Sequence, residues 1–325
     1  MANPANQPLA RGYQLQNYTI AKLLASGGFS IVYLAHDEND YPVAIKEYLP
    51  NSLALRREGD VVVQATSEGN LMLFKHGLKC FFEEGKTLAR IRHPNVVKVL
   101  NFFRANDTVY MVMEYERGRT LQKEIQLKHD REGVSEDLIR HVFYQVLHGL
   151  REVHLHKLLH LDIKPANIYI RKNMTPVLLD FGSARQALSV EPNRLAPMYT
   201  PGFAAPEQYE KEAKLLGPWT DIYGIGASMY ACIAGLPPPP ADQRKEDERL
   251  VSLHERFGDR YSPELLDLIH QCLNLDPVQR LQSVPQLQKL LLEPASPPAK
   301  RGSLIDTVRR KWLALTRPPQ RETTQ

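Results

Sequence analysis

Hydrophobic periodicity changes partway along the 325-residue chain, and the change divides it in two. Residues 18–34, YTIAKLLASGGFSIVYL, predict two strands joined by a glycine-containing turn. The β-branched, alternating stretch YPVAIKEY at 41–48 predicts a third strand, and runs at 96–103 and 108–115 predict two more. Leu78, Phe81, Phe82, Leu88 and Ile91 recur at helical spacing, which predicts a helix over 78–92 stopped by His93-Pro94. Beyond Gly118 the period lengthens. Residues 135–159 read as a long amphipathic helix, with Ser135 at the N-cap and Glu136-Asp137 in the first turn. Short strand-like pieces follow over 160–182, and 205–292 is mostly helical. The expectation is a small strand-rich lobe, a larger helical lobe, a Pro-rich linker (294–300) and a short tail.

Composition adds little to this picture but removes alternatives. Apolar residues make up 43% and charged residues 24%, enough to bury a full core. Cys80, Cys232 and Cys272 form no CxxC pair, which reads as reduced thiols rather than a disulfide framework or zinc site. No apolar leader opens the chain. The uncharged run Ile222 to Leu236 has 15 residues, too short to span a bilayer comfortably, so it reads as a buried helix. Net charge is +4, yet the tail from residue 295 carries +5 and the remainder −1, so the basic balance does not imply nucleic acid.

The chemistry-bearing residues are spread across both lobes. Lys46 lies in VAIK, Glu84 on the following helix, Asp162 and Asn167 in HLDIKPAN, and Asp180 in DFG. Phosphoryl transfer needs cation clamps on phosphates, oxygen ligands for Mg²⁺ and an acceptor for the nucleophile's proton. A Lys fixed by a Glu clamps phosphate, Asp180 and Asn167 offer hard oxygens, and Asp162 is left to receive the proton.

These residues resemble the eukaryotic-type protein kinase family, whose motif order they follow over roughly 18–292. The likeness extends through MVMEYERG (111–118), APE (205–207), WTDIYGIG (219–226) and DPVQR (276–280), and GGFSIVYLAHD and VLLDFGSARQAL are similar to a bacterial Ser/Thr subgroup. It implies an α+β, bilobal kinase fold, with a β-rich N-lobe (about 18–116) carrying one regulatory helix and a helical C-lobe (about 117–292). Residues 1–17 would be an N-terminal extension and 293–325 a linker and tail. The resemblance further implies a Ser/Thr protein kinase that uses ATP and Mg²⁺, with Asp162 and Lys164 catalytic and Asn167 and Asp180 on the metal. Nucleotide contacts would come from Ala25, Gly27, Gly28, Val32, Ala44, Lys46, Glu84, Met113, Glu114 and Glu116. Thr200 and Ser189 would belong to the activation segment, Glu207 and Arg280 would form a buried pair, and Asp221 would brace the catalytic loop. Implied partners are protein substrates and a PP2C-type phosphatase, in a cytoplasmic setting. The rival readings are a pseudokinase scaffold and a small-molecule phosphotransferase; Lys164, Thr200 and APE argue against the latter.

Departures from the family pattern carry their own expectations. The nucleotide loop keeps only Gly27 at its motif position, with Ala25 and Ser30 at the other two, which predicts weaker ATP binding at most. Leu161 stands where the family has an Arg that pairs with activation-loop phosphate, so the 183–204 loop is expected to order without obligatory phosphorylation, with Arg185 a thin anion site. The 47–70 insert predicts a small hairpin turning at Glu58-Gly59-Asp60, either packed on the lobe or offered for docking. His154, His156 and His160 have the spacing of a metal cluster, but His160 is already placed as the loop histidine. The tail SLIDTVRRKWLAL (303–315) predicts a basic amphipathic helix for an anionic membrane or a partner, or one packed back on its own domain.

Overall fold

The structure, a computed structural model, describes residues 6–129, 133–181, 199–210, 215–248 and 250–297. The calls on Ser183, Arg185, Ser189 and the 303–315 tail lie outside these residues.

The small lobe is an antiparallel six-stranded sheet of order β1-β2-β3-β4-β8-β7. Its strands are β1 (Gln14–Leu15), β2 (Tyr18–Ser26), β3 (Ser30–His36), β4 (Pro42–Tyr48), β7 (Val99–Ala105) and β8 (Thr108–Glu114). Alternation sets which side chains go inward: along β3, Ile31, Tyr33 and Ala35 are buried. In register, β4 sets Lys46 opposite Val32 on one side and Met111 on the other. The insert forms the expected hairpin, β5 (Ala54–Leu55) with β6 (Gln64–Ala65), and Gly59 supplies a left-handed φ of 82° between them.

The helix predicted over 78–92 is α1, Glu68–Leu88, ten residues earlier at its start and four shorter at its end. Ser67 caps it, its hydroxyl accepting the Asn70 N–H at 3.2 Å. In its first half, two glycines and the contiguous apolar run LMLF (71–74) hide the helical period; it still buries Leu73, Phe74 and Gly77. Residues ahead of 18 also pack on the lobe: Leu9 and Leu15 are buried in its core, and β1 extends the sheet.

In the large lobe, α2 (Leu121–His129) and α3 (Glu136–Leu155) precede a short 3₁₀ turn at Pro165–Asn167. The strands β9 (Gly118–Thr120), β10 (Ile168–Arg171) and β11 (Pro176–Leu178) form a three-stranded sheet beside it. Then come α4 (Pro206–Tyr209), α5 (Pro218–Ala234), α6 (Ala241–Glu246), α7 (Leu253–Phe257), α8 (Pro263–Cys272) and α9 (Val284–Leu291). Ser135 occupies the N-cap position of α3 without a capping side-chain bond; Glu136 of the first turn instead accepts from Arg140 and Ser262. The apolar run from Ile222 is the inner part of α5, buried on all sides, and no described helix is long and apolar enough to cross a membrane.

Candidate active site

The catalytic loop is held from below by α5. Asp221 is buried, and its carboxylate accepts the backbone N–H of His160 (2.9 Å) and of Leu161 (2.8 Å), with His154 Nε2 at 2.8 Å. Burial alone would push this carboxyl up; the bond and charge of His154, with the His160 side chain and N–H, outweigh it and hold the group below its ordinary range. Leu161 has a φ of 60°, a strained conformation for a γ-branched side chain. Two anchors over-determine it: Asp221 takes its N–H, and Gln208 of α4 donates to its carbonyl at 2.9 Å. Gln208 also accepts the Ala205 N–H, so it ties the APE segment to the catalytic loop. Sequence motifs do not point to this residue, and nothing in its sequence surroundings marks it.

Around Asp162 the groups converge. Lys164 Nζ lies 3.0 Å from Oδ2 and 2.8 Å from Thr200 Oγ1, and Thr200 donates to Oδ1 at 3.1 Å. Asn167 Nδ2 bonds both the Asp162 carbonyl and Oδ2 at 2.8 Å, which leaves its amide oxygen facing elsewhere. From the small lobe, Lys46 Nζ reaches Asp180 Oδ1 at 3.2 Å. Glu84, the residue expected beside Lys46, sits buried on α1 one turn from Phe81. Lys46 also lies 5.6 Å over the Phe81 ring. Phe181 is buried and stacks on His160 at 4.4 Å, which seats the residue after Asp180 against the catalytic loop.

The remaining candidates fall around this centre. Ala44 pairs with Met113 across β4 and β8, and Ala25 with Val32 across β2 and β3. Gly27 and Gly28 form the turn between β2 and β3. Glu114 N–H bonds Lys98 O at 3.0 Å. Glu116 is committed: Arg171 of β10 holds its carboxylate with two bonds, one of 2.6 Å. Glu207 and Arg280 form the expected buried bidentate pair at 2.8 and 3.0 Å. The three histidines bond separately, His154 to Asp221, His156 to Glu152 O and His160 to Leu179 O. A groove of about 880 Å³ between Val63–Ala65, α1 and the β7–β8 turn contains none of these residues.

Two lobes with phosphate-directed chemistry between them define a protein kinase domain. The family model described as protein kinase domain matches residues 18–291, and the chain belongs to that family. Among solved structures, "PpkA-294 apo form" is 36% identical with TM-score 0.77, covering 87% of this chain and 99% of that one. The kinase domain of Mycobacterium tuberculosis PknI is 18% identical with TM-score 0.60, over 88% of this chain and 99% of that one, a likeness of fold. Serine/threonine-protein kinase PLK4 of Xenopus tropicalis is 27% identical over 272 residues, 83% of this chain. An Aurora kinase of Yarrowia lipolytica is 28% identical over 277 residues, covering 84% of this chain and 67% of that protein. The chain spans about a quarter (26%) of the length of the PLK4 relative.

Proposed function

We propose that the chain is a Ser/Thr protein kinase that transfers the γ-phosphoryl group of ATP, with Mg²⁺, to hydroxyls of protein substrates and of itself. The observation that supports this most is the Asp162 cluster. Its carboxylate is held by Lys164, Thr200 and Asn167 at 2.8–3.1 Å, a geometry suited to receiving a hydroxyl proton. Lys164 bridges Asp162 and Thr200, so its ammonium offsets charge where a polypeptide hydroxyl would meet the phosphoryl group.

Mg²⁺ fits the donor set. Asp180, its side chain 36% exposed, and the amide oxygen of Asn167 are hard oxygens, and Mg²⁺ typically takes one or two carboxylates with phosphates and waters completing its shell. When bound, Mg²⁺ would neutralise charge on the moving phosphoryl group. Lys46 would exchange its contact with Asp180 for phosphate oxygens, and Glu116, its carboxylate taken by Arg171, would meet the nucleotide through its backbone. A bacterial signalling role, a PP2C-type phosphatase partner and a cytoplasmic location belong to the same reading.

The test incubates wild type and Asp162→Asn with labelled ATP, Mg²⁺ and a generic protein substrate, followed by phosphoamino-acid analysis. Label on Ser or Thr with wild type, lost in the variant, is the expected result. No transfer by wild type would leave a binding scaffold, and label on small molecules alone would indicate a small-molecule phosphotransferase.

A further inference from the structure

The nucleotide loop has lost two motif glycines, yet its backbone is held by a part of the chain that the family pattern does not anticipate. Gly28 C=O accepts the Asn51 N–H at 2.9 Å, and Phe29 C=O accepts the Leu49 N–H at 3.1 Å. Within the turn, Gly27 N–H donates to Ser30 O at 3.0 Å. The Phe29 ring packs edge-on against Tyr48, with centroids 5.2 Å apart. Tyr48 packs in turn on Phe74 and Phe81 of α1, each at 5.5 Å. One aromatic cluster therefore joins the loop tip, the end of the Lys46 strand and the helix that carries Glu84.

We propose that residues 49–56 clamp the nucleotide loop, with Phe29 and Asn51 as positioning residues for ATP; the proposal rests on reading this site as an ATP site. The clamp is itself braced. The Leu53 and Ala54 N–H groups close a turn on Pro50 O at 3.0 and 2.9 Å. Asn6 Nδ2 binds Asn51 Oδ1 at 2.8 Å and Ala54 O at 3.1 Å. Arg56 forms a fully buried ion pair with Glu47, the residue after Lys46.

Peptide planarity gives the clamp its consequence for phosphate. In a trans peptide, C=O and the following N–H point in opposite directions. Carbonyl 29 is turned to the insert, so the N–H of Ser30 is turned away from it, as a donor for an approaching anion. Neither Gly27 nor Gly28 has positive φ, and among the described residues a Cβ added at Gly28 would meet nothing within 4 Å. The described packing of the turn does not demand glycine at 28. An ordinary kinase loop relies on flexible glycines that must be ordered when nucleotide binds. Here the ordering is done in advance by the insert.

The experiment uses the full chain with Mg²⁺ and a fluorescent N-methylanthraniloyl-ATP, alongside steady-state kinetics and thermal melts. Phe29→Ala, and Asn51→Pro, which deletes the donor, should each raise the analogue Kd and the ATP KM about threefold to tenfold. The kcat at saturating ATP and the melting temperature should stay near wild type, and Phe29→Tyr should restore affinity. A Phe29→Ala protein with wild-type Kd and KM overturns the clamp, as does one that loses kcat and melting temperature together, the mark of a purely structural role. Phe29 is a half-buried loop-tip side chain, so its variants decide the matter alone if Asn51→Pro fails to fold. A wild type that binds the analogue but transfers no phosphate overturns the kinase reading instead, because the affinity ratio does not depend on turnover.

Discussion

Replacing Arg56 by Ala should destabilise the small lobe more than almost any other single truncation, because of what it leaves behind. The guanidinium is fully buried and makes four bonds: Nη1 and Nη2 to the Glu47 carboxylate at 2.6 and 2.8 Å, Nη2 to Tyr33 OH at 2.9 Å, and Nε to Gln7 O at 2.8 Å. Without it, the equally buried Glu47 keeps, among the described residues, the hydroxyls of Tyr33 (2.7 Å) and Tyr110 (2.6 Å). Leaving one charge of a buried pair uncompensated costs about 3–5 kcal/mol. For a chain of this size, with an unfolding entropy of about 2.1 cal/mol/K per residue, that corresponds to a fall in melting temperature of about 4–7 °C. The double variant Arg56→Met, Glu47→Leu removes both charges and should recover most of the loss, since apolar replacements of a buried pair are often near neutral. Urea or thermal melts of the two single variants and the double complete the cycle. A loss below about 1 kcal/mol for Arg56→Ala, or a double variant that loses the sum of the singles, would refute the reasoning.

Three further outcomes follow from the described contacts. Asp221 titrates below its ordinary range in the folded chain, so its contribution to stability is present above the unfolded carboxyl value of about 3.9 and is lost as pH falls through the lower folded value. Asp221→Asn should therefore flatten the acid limb of stability in urea melts, and an unchanged limb contradicts the assignment. Burial pushes the Cys272 thiol up to about 12 and the Cys232 thiol up as well. A thiol reagent should therefore reach only half-buried Cys80 in the native chain, and two or more labelled sites before unfolding would be the wrong result. Because Leu161 cannot pair with phosphate, activity should survive phosphatase treatment and the Ser183→Ala and Ser189→Ala changes; its loss in any of them would restore an obligatory phosphorylation step.

The sequence displayed its candidate site residues and hid their braces. Strands such as β3 and β4 were legible because alternation is a local signal, and the set Lys46, Asp162, Asn167 and Asp180 because phosphoryl transfer restricts residue type. The start of α1 was hidden by Gly69, Gly77 and the contiguous apolar run LMLF (71–74) that blurs the helical period. Arg56 reads as a solvent residue, since arginine is almost never fully buried unless paired, and its partner became visible only when the hairpin folded onto Glu47. Asn6 meets Ala54 across 48 positions, a contact no local pattern encodes. The Lys46 contact with Asp180 depends on how the two lobes meet, which residue spacing does not contain.

The central claim is that Asp162, braced by Lys164, Thr200 and Asn167, serves as the proton acceptor of a working kinase. The measurement that tests it most directly is kcat on a serine or threonine peptide at saturating Mg²⁺ and ATP, for wild type beside Asp162→Asn, with ATP affinity measured in parallel. The account predicts a fall of about 10²–10⁴-fold in kcat with little change in ATP affinity. Transfer by Asp162→Asn at a rate comparable to wild type would contradict it.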